Sequence, residues 1–298
     1  MMKNAIIYRF TGNIGESIES DLTKAAFIPC QPSQDRSIGW VAPRTEHGAL
    51  AEFVGGELIV KLRIETKAVP REAVDKLVGE KVEQIEAATG RKPGKKERRE
   101  LKEDALKELL PHALPRQSDV LAWIDRDAGL LIVGAGSQSK ADELATALIT
   151  AIPGFHLELL QTNVTPQTAM TNWLTAASPD EWPAGLSVER ECELKGGEPD
   201  KSVVKFTRHS LLNDEIRLHI SQGKLPTKLA LSWEGRVSFV LTEGLQVKKL
   251  AVDVLSEPGA GDGKDDRFDA DVAIFTGEMK KMIPGLVDAL GGYLKGRE

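Results

Sequence analysis

A chain of 298 residues with 41% hydrophobic and 28% charged side chains has enough apolar material for two or three ordinary cores. A net charge of −6 gives no overall attraction to polyanions, and two widely separated cysteines, Cys30 and Cys192, exclude a zinc knuckle or a disulfide framework. No apolar run approaches the roughly 18 residues that span a bilayer, and the start Met-Met-Lys-Asn-Ala-Ile-Ile-Tyr-Arg-Phe is too short a run for a signal peptide, so a cytoplasmic location is expected.

Asn4 to Phe10 reads as a strand and Gly15 to Ala26 as a short amphipathic helix through Ile18, Leu22, Ala25 and Ala26. Residues 37–41 and 57–64 read as strands, the second alternating after a Gly-Gly turn. Pro70 opens a helix at N1, with Val74, Leu77, Val78, Val82 and Ile85 at helical spacing, and Thr89-Gly90 ends it. Pro93-Gly94 starts a second helix carrying Leu101, Ala105, Leu109 and Leu110 on one face. The two are expected to form an antiparallel hairpin.

After Pro111 and Pro115 the pattern turns to strands. Residues 119–125 and 129–133 flank a short turn and read as a β-hairpin, followed by a helix from Ser137 to Ala151 with Ser137 as its cap. Phe155 to Gln161 is a strand and Pro166 to Ala176 a helix. Residues 178–185 read as a linker. Beyond it, 186–194, 202–207, 228–233, 236–241 and 247–254 read as strands, with a helix near 211–221. Residues 257–264 read as a Gly/Asp-rich loop, 271–275 as a strand and 277–290 as a closing helix. The fold class is α+β. Residues 1–69 and 116–180 are expected to form a central domain, 70–115 an inserted helical tip, and 181–298 a C-terminal base domain.

Charge is segregated. Between Arg91 and Lys102 stand seven bases and two acids, whereas 180–200 and 253–271 each hold seven acids and two bases. Residues 94–100 contain no apolar side chain, so this basic helix start has nothing to bury and projects into solvent. Pairs such as Lys96–Glu100 and Arg99–Glu103 could neutralise it as a plain solvated helix face. A second basic group comprises Lys201, Lys205, Arg208, His209, Lys224 and Lys228, with Lys248 and Lys249 further on. Without a helix-turn-helix, zinc-finger or RNA-recognition signature, these cations suit phosphate contact without base reading.

Two catalytic patterns compete with that reading. Asp265, Asp266, Asp269 and Asp271 form the densest carboxylate cluster, which a two-metal nuclease would need, with Asp269 and Asp271 on one strand face. Gly134-Ala-Gly136 precedes a helix and resembles part of a dinucleotide fingerprint, but Ser139 stands where its third glycine belongs. No nucleophile elbow and no paired histidines are present.

Short motifs run in order along the whole chain: residues 3–10, Phe27-Ile-Pro-Cys30, Ile38-Gly-Trp-Val41, Leu109-Leu-Pro111, Trp123-Ile-Asp125, Glu215-Ile216, His219-Ile220, Gly223-Lys224, residues 227–231, Trp233, and Arg267-Phe-Asp-Ala-Asp271 with Thr276-Gly-Glu278. In this series the chain resembles the bacterial recombination-associated RdgC family. The resemblance implies a non-catalytic, nucleoid-associated protein that needs no cofactor. It implies a ring-shaped homodimer whose basic hole takes double-stranded DNA with little sequence preference and so restrains the recombinase RecA. The residues expected on phosphate are Arg91, Lys92, Lys95, Lys96, Arg98 and Arg99 of the tip, with Lys205, Arg208 and Lys224 of the second group. Two stretches depart from the family pattern: residues 111–118 lack its aromatics, and residues 205–209 are poorer in lysine.

Overall fold

Apolar alternations of eleven residues and fewer become two antiparallel sheets. The computed structural model describes residues 1–15, 17–44, 48–199, 201–253 and 264–294, with side chains from 267 in the last stretch. The first sheet contains β1 (Ile6–Thr11), β2 (Arg36–Val41), β3 (Ala51–Val54), β4 (Glu57–Lys67), β5 (Pro115–Asp125), β6 (Leu130–Val133) and β7 (His156–Leu159). Its order is β2-β4-β5-β6-β1-β7, with β3 beside the start of β4. The second sheet contains β8 (Leu186–Gly196), β9 (Val203–Thr207), β10 (Lys224–Trp233), β11 (Val237–Thr242) and β12 (Val247–Val252), in the order β12-β11-β10-β8-β9. The fold is α+β.

Alternation decides what each sheet face meets. Along β4, Leu58, Val60, Leu62 and Ile64 join Ile6, Tyr8, Leu131 and Val133 in one buried cluster. That cluster is closed by α1 (Ile18–Thr23) and α4 (Gln138–Ala151), the latter through Leu144 and Leu148. The opposite face, through Ile7, Ile59, Trp123 and Ile132, belongs to a second cluster that continues into the second sheet at Leu229, Leu231, Phe239 and Leu241. Helices α5 (Pro166–Thr175), α6 (Asp214–Ser221) and α7 (Lys264–Ala289) contribute Met170, Trp173, Ile216, Phe275 and Met279 to it. Trp123 and Phe275 meet edge to face at 6.5 Å. Ala5 and Val247 exchange backbone hydrogen bonds of 2.8 and 3.0 Å, stitching the start of the first sheet to the edge of the second.

The tip helices are α2 (Arg71–Thr89) and α3 (Lys95–Leu109). They lie between β4 and β5, which are neighbours in the sheet, and the pair Lys67–Pro115 closes the register at their base. Only Val74 of α2 and Ala105 of α3 are fully buried, as expected for a stripe that fades toward the turn.

Several sequence expectations change. Pro70 is the cap of α2, with φ −59° and ψ 132°, and helical residues begin at Arg71. Ser137 occupies the cap position of α4 but makes no side-chain capping bond. The short strand β3 has no signal beyond Ala-Glu-Phe-Val. The expected strand 271–275 is the middle of α7, and the expected loop 257–264 falls on 254–263, outside the described residues, up to Lys264, where α7 begins. The run Asp-Val-Ala-Ile-Phe is too short to separate strand from helix. In context its buried residues Val272, Phe275, Met279, Ile283 and Leu286 recur at steps of three and four. That is the helical period, and one helix places all of them against the core.

Candidate nucleic-acid interface

The tip is built by its turn. Gly90 takes the left-handed conformation that ends α2, with φ 73°, and its N–H reaches the Glu86 carbonyl at 2.8 Å. Pro93 is buried, and Gly94 caps α3 in extended geometry. Glu97, in the first turn, accepts the Gly94 N–H at 2.8 Å and both Arg91 guanidinium donors at 2.9 and 2.7 Å. These bonds, Arg91 first, hold the Glu97 carboxyl at about 2, well below the carboxylate range.

This turn sorts the expected phosphate contacts into two sets. Arg91 is committed to Glu97, Arg99 pairs with Glu103 at 3.1 Å, and Lys92 stands 3.8 Å from Glu86. Lys95, Lys96 and Arg98 are exposed and form no ion pair among the described residues; the Lys96–Glu100 pair expected from spacing is not made. Three cations thus crowd the N-terminus of a 15-residue helix, where the backbone dipole opposes them. The same end of the helix favours phosphate, so an anionic ligand relieves both sources of repulsion at once.

The second basic group divides at a β-bulge. Lys205 of β9 lies opposite Glu193 of β8, and Lys228 of β10 lies opposite the same residue on the other side. Their ammonium groups stand 3.1 and 3.0 Å from the Glu193 carboxylate, which also accepts the Thr227 hydroxyl at 2.8 Å. Burial alone would raise the Glu193 pKa, but hydrogen bonds from Lys228, Thr227 and Lys205 outweigh it and hold the group at about 2. Lys249 pairs with Glu191 at 2.6 Å. With Lys248 these groups line a cleft of about 360 Å³ on the sheet face turned from the core.

Lys224 does not join them. The register shifts between Pro226 and Lys228, so Lys224 and Pro226 pair with Gly196 and the buried Leu194 on the core side, whereas Lys228 pairs on the open side. Lys228, Lys248 and Lys249 take the place beside Lys205 that spacing alone gave to Lys224. Strand alternation across an undisturbed β10 could not have revealed this. Arg208 turns out of β9 with φ 55°, and its carbonyl accepts an Arg190 donor at 3.0 Å. Its side chain is exposed and forms no ion pair among the described residues.

The carboxylate cluster does not assemble as expected. The side chains of Asp265 and Asp266 lie outside the described residues. Asp269 and Asp271 sit on α7, where residues two apart point about 200° from each other. Asp269 is engaged by Arg44, which also stands 3.6 Å from Glu52 and lies over the Phe268 ring at 5.1 Å. Among the described residues no group of three or more His, Cys, Asp or Glu side chains is placed to hold a metal ion. Gly134 follows β6, an antiparallel hairpin strand, and not the parallel strand of a dinucleotide fold. A Cβ there would meet the Met2 side chain at 2.8 Å, which accounts for the glycine by packing.

No helix among the described residues is long and apolar enough to cross a membrane. A family model described as "Putative exonuclease, RdgC" matches residues 1–293. The recombination-associated protein RdgC of Dechloromonas aromatica is 39% identical over 299 residues, covering 97% of this chain and 97% of that protein. The protein of the same name from Cupriavidus necator is 40% identical, covering 98% and 99%, and that of Bordetella pertussis is 38% identical, covering 97% and 98%.

Proposed function

This chain belongs to the RdgC family of recombination-associated proteins, and from that premise we propose that it binds double-stranded DNA without sequence preference and without cutting it. In this reading two copies close into a ring around the duplex in the nucleoid, and the occupied DNA is withheld from RecA. The observation that carries the reading is the trio Lys95, Lys96 and Arg98 at the start of α3, unpaired among the described residues. Cations that have no carboxylate partner lose nothing internal when they meet phosphate, and their contacts carry no base information. Arg91, Lys92 and Arg99 exchange existing partners for phosphate and contribute less. Lys205 and Arg208 add a second contact region.

The family description names an exonuclease, and a metal-dependent nuclease at Asp265, Asp266, Asp269 and Asp271 is the alternative. One experiment separates the two. A random-sequence duplex is titrated across a salt series, with and without Mg²⁺, and then run on a denaturing gel. Steeply salt-dependent binding that ignores sequence and leaves the strands intact supports the clamp. Mg²⁺-dependent shortening of the strands, abolished by EDTA, transfers the proposal to the nuclease. Absence of binding at low salt sinks the clamp.

A further inference from the structure

A third basic feature lies on the first sheet, where spacing gave no hint of it. The segment at residues 25–27 runs along the edge of β2: the Trp40 N–H donates to Ala25 at 3.0 Å, and the Phe27 N–H donates to Trp40 at 2.9 Å. The approach is close because residue 39 is glycine; a Cβ there would stand 2.4 Å from the Phe27 backbone. Phe27 and Pro29 thereby wall a cleft of about 550 Å³ whose lining includes Arg44, Lys61 and Arg63 and, among the described residues, no carboxylate. The cleft beside Lys205 is different, since Glu191 and Glu193 line it.

The three cations are not equivalent. Asp119 grips Arg63 at 2.8 and 2.9 Å, and Arg63 lies 5.8 Å from the centre of the Phe27 ring. Arg44 is fixed by Asp269 and Glu52. Among the described residues Lys61 is the one cation of the three that forms no ion pair; its ammonium donates to the Pro43 carbonyl at 3.0 Å, which leaves two donors. Burial pushes its pKa down, and the Asp119 carboxylate, already gripped by Arg63, offsets this only in part. A phosphate would supply Lys61 with a direct ionic partner. The volume is larger than one phosphate needs and is in the range of sites for small organic ligands. Aromatic and proline walls suit the flat face of a base. Paired bases stacked inside a duplex cannot enter such a cleft.

We propose that this cleft binds one unstacked nucleotide, its phosphate on Lys61 and its base against Phe27 and Pro29. The nucleotide is either free or part of a single strand. The site is independent of duplex binding at the tip.

The test titrates the full chain with adenosine 5′-monophosphate, adenosine and inorganic phosphate by calorimetry. A short oligothymidylate with and without a 5′-phosphate is titrated in the Lys95→Glu, Lys96→Glu, Arg98→Glu background, which removes the tip's contribution. The expected result is binding of the monophosphate well above adenosine, and about a tenfold loss in Lys61→Met. Phe27→Leu should weaken the monophosphate more than inorganic phosphate, and it keeps the test alive if Lys61→Met does not fold. Binding of the 5′-phosphorylated strand without the free nucleotide supports the site and assigns it to strand ends. Equal affinity for adenosine and the monophosphate, an unchanged Lys61→Met, or no binding of any probe would overturn the proposal. The tip variant should lose duplex affinity while keeping the monophosphate, so the two readings fail separately.

Discussion

Arg44 and Asp269 stand 225 positions apart in the chain, yet their side chains form a two-pronged ion pair. The contact ties the beginning of α7 to the loop that precedes β3, and the Phe268 ring, packed under the Arg44 guanidinium, adds a second attachment. Farther along the same helix, Lys280 is paired with Glu57, whose carboxylate also accepts the Trp123 indole N–H at 2.8 Å. Charged residues of α7 thus act as docking points on the first sheet on either side of the Trp123–Phe275 contact. An acidic stretch that looks like a metal site in sequence is, at Asp269, part of this docking.

Arg44→Ala should therefore destabilise the protein. The pair is partly exposed, with side-chain exposures of 20% for Arg44 and 48% for Asp269, so its Coulomb energy is screened. Adding the lost contact with Phe268, the expected cost is about 1–2 kcal/mol in urea unfolding. Asp269→Asn should cost less, because Arg44 keeps Glu52 and Phe268. If Arg44→Ala lies within about 0.5 kcal/mol of the parent, the clasp has no stabilising role.

Glu97 sets a pH limit on the tip turn. Its folded pKa, about 2, is depressed from an ordinary 4.5 by Arg91 and the Gly94 N–H. A depressed carboxyl stabilises the fold above its unfolded pKa and loses that contribution as pH falls through the folded value. The start of α3 should hence fray as pH falls from 4.5 toward 2. An NMR titration of the Glu97 carboxyl should show the low value, and Arg91→Ala should move it back toward the ordinary one. An unchanged titration in Arg91→Ala would mean that the fork to Glu97 does not form in solution.

Much of this architecture was readable from periodicity. The stripe Val74, Leu77, Val78, Val82 and Ile85 specifies α2, and the alternation from Leu58 to Ile64 specifies β4, because each pattern is long enough to fix its own period. The basic helix start was equally plain. Its division into paired and unpaired cations was not, since Arg91 reaches Glu97 only because the Gly90 to Gly94 turn folds back on the helix. The bulge at Thr227, which separates Lys224 from Lys228, leaves no mark in composition. Asp269 finds Arg44 through tertiary packing alone. Lys61 looks like any outward lysine on an alternating strand until the segment at 25–27 closes over the sheet edge beside it.

Glu193 offers a gain-of-function test of the second basic group. It now neutralises Lys205 and Lys228 together. Glu193→Gln keeps an acceptor for Thr227 and releases both lysines. Duplex affinity should rise, and the slope of log K against log salt should steepen by about 1–2, near 0.9 for each phosphate gained. An unchanged slope would remove this sheet face from the DNA path and leave the tip as the contact region.

The sharpest prediction compares reversal of the unpaired tip cations with neutralisation of the paired ones beside them. Lys95→Glu, Lys96→Glu and Arg98→Glu together remove cations that have no ionic partner among the described residues. They also place carboxylates at a helix N-terminus, where the dipole favours them, so the fold should not suffer. Duplex affinity should collapse, and the salt slope should flatten by about 2.7, three contacts at 0.9 each. Arg91→Gln with Arg99→Gln removes cations already held by Glu97 and Glu103. Its slope change should be under about 1, because those side chains must leave a carboxylate before they can meet phosphate. Fluorescence anisotropy with one random-sequence duplex measures both sets. Equal slope changes per cation removed would mean that net charge, and not the pairing pattern of the turn, governs binding; a larger change per cation in the paired set would invert the assignment of the contacts.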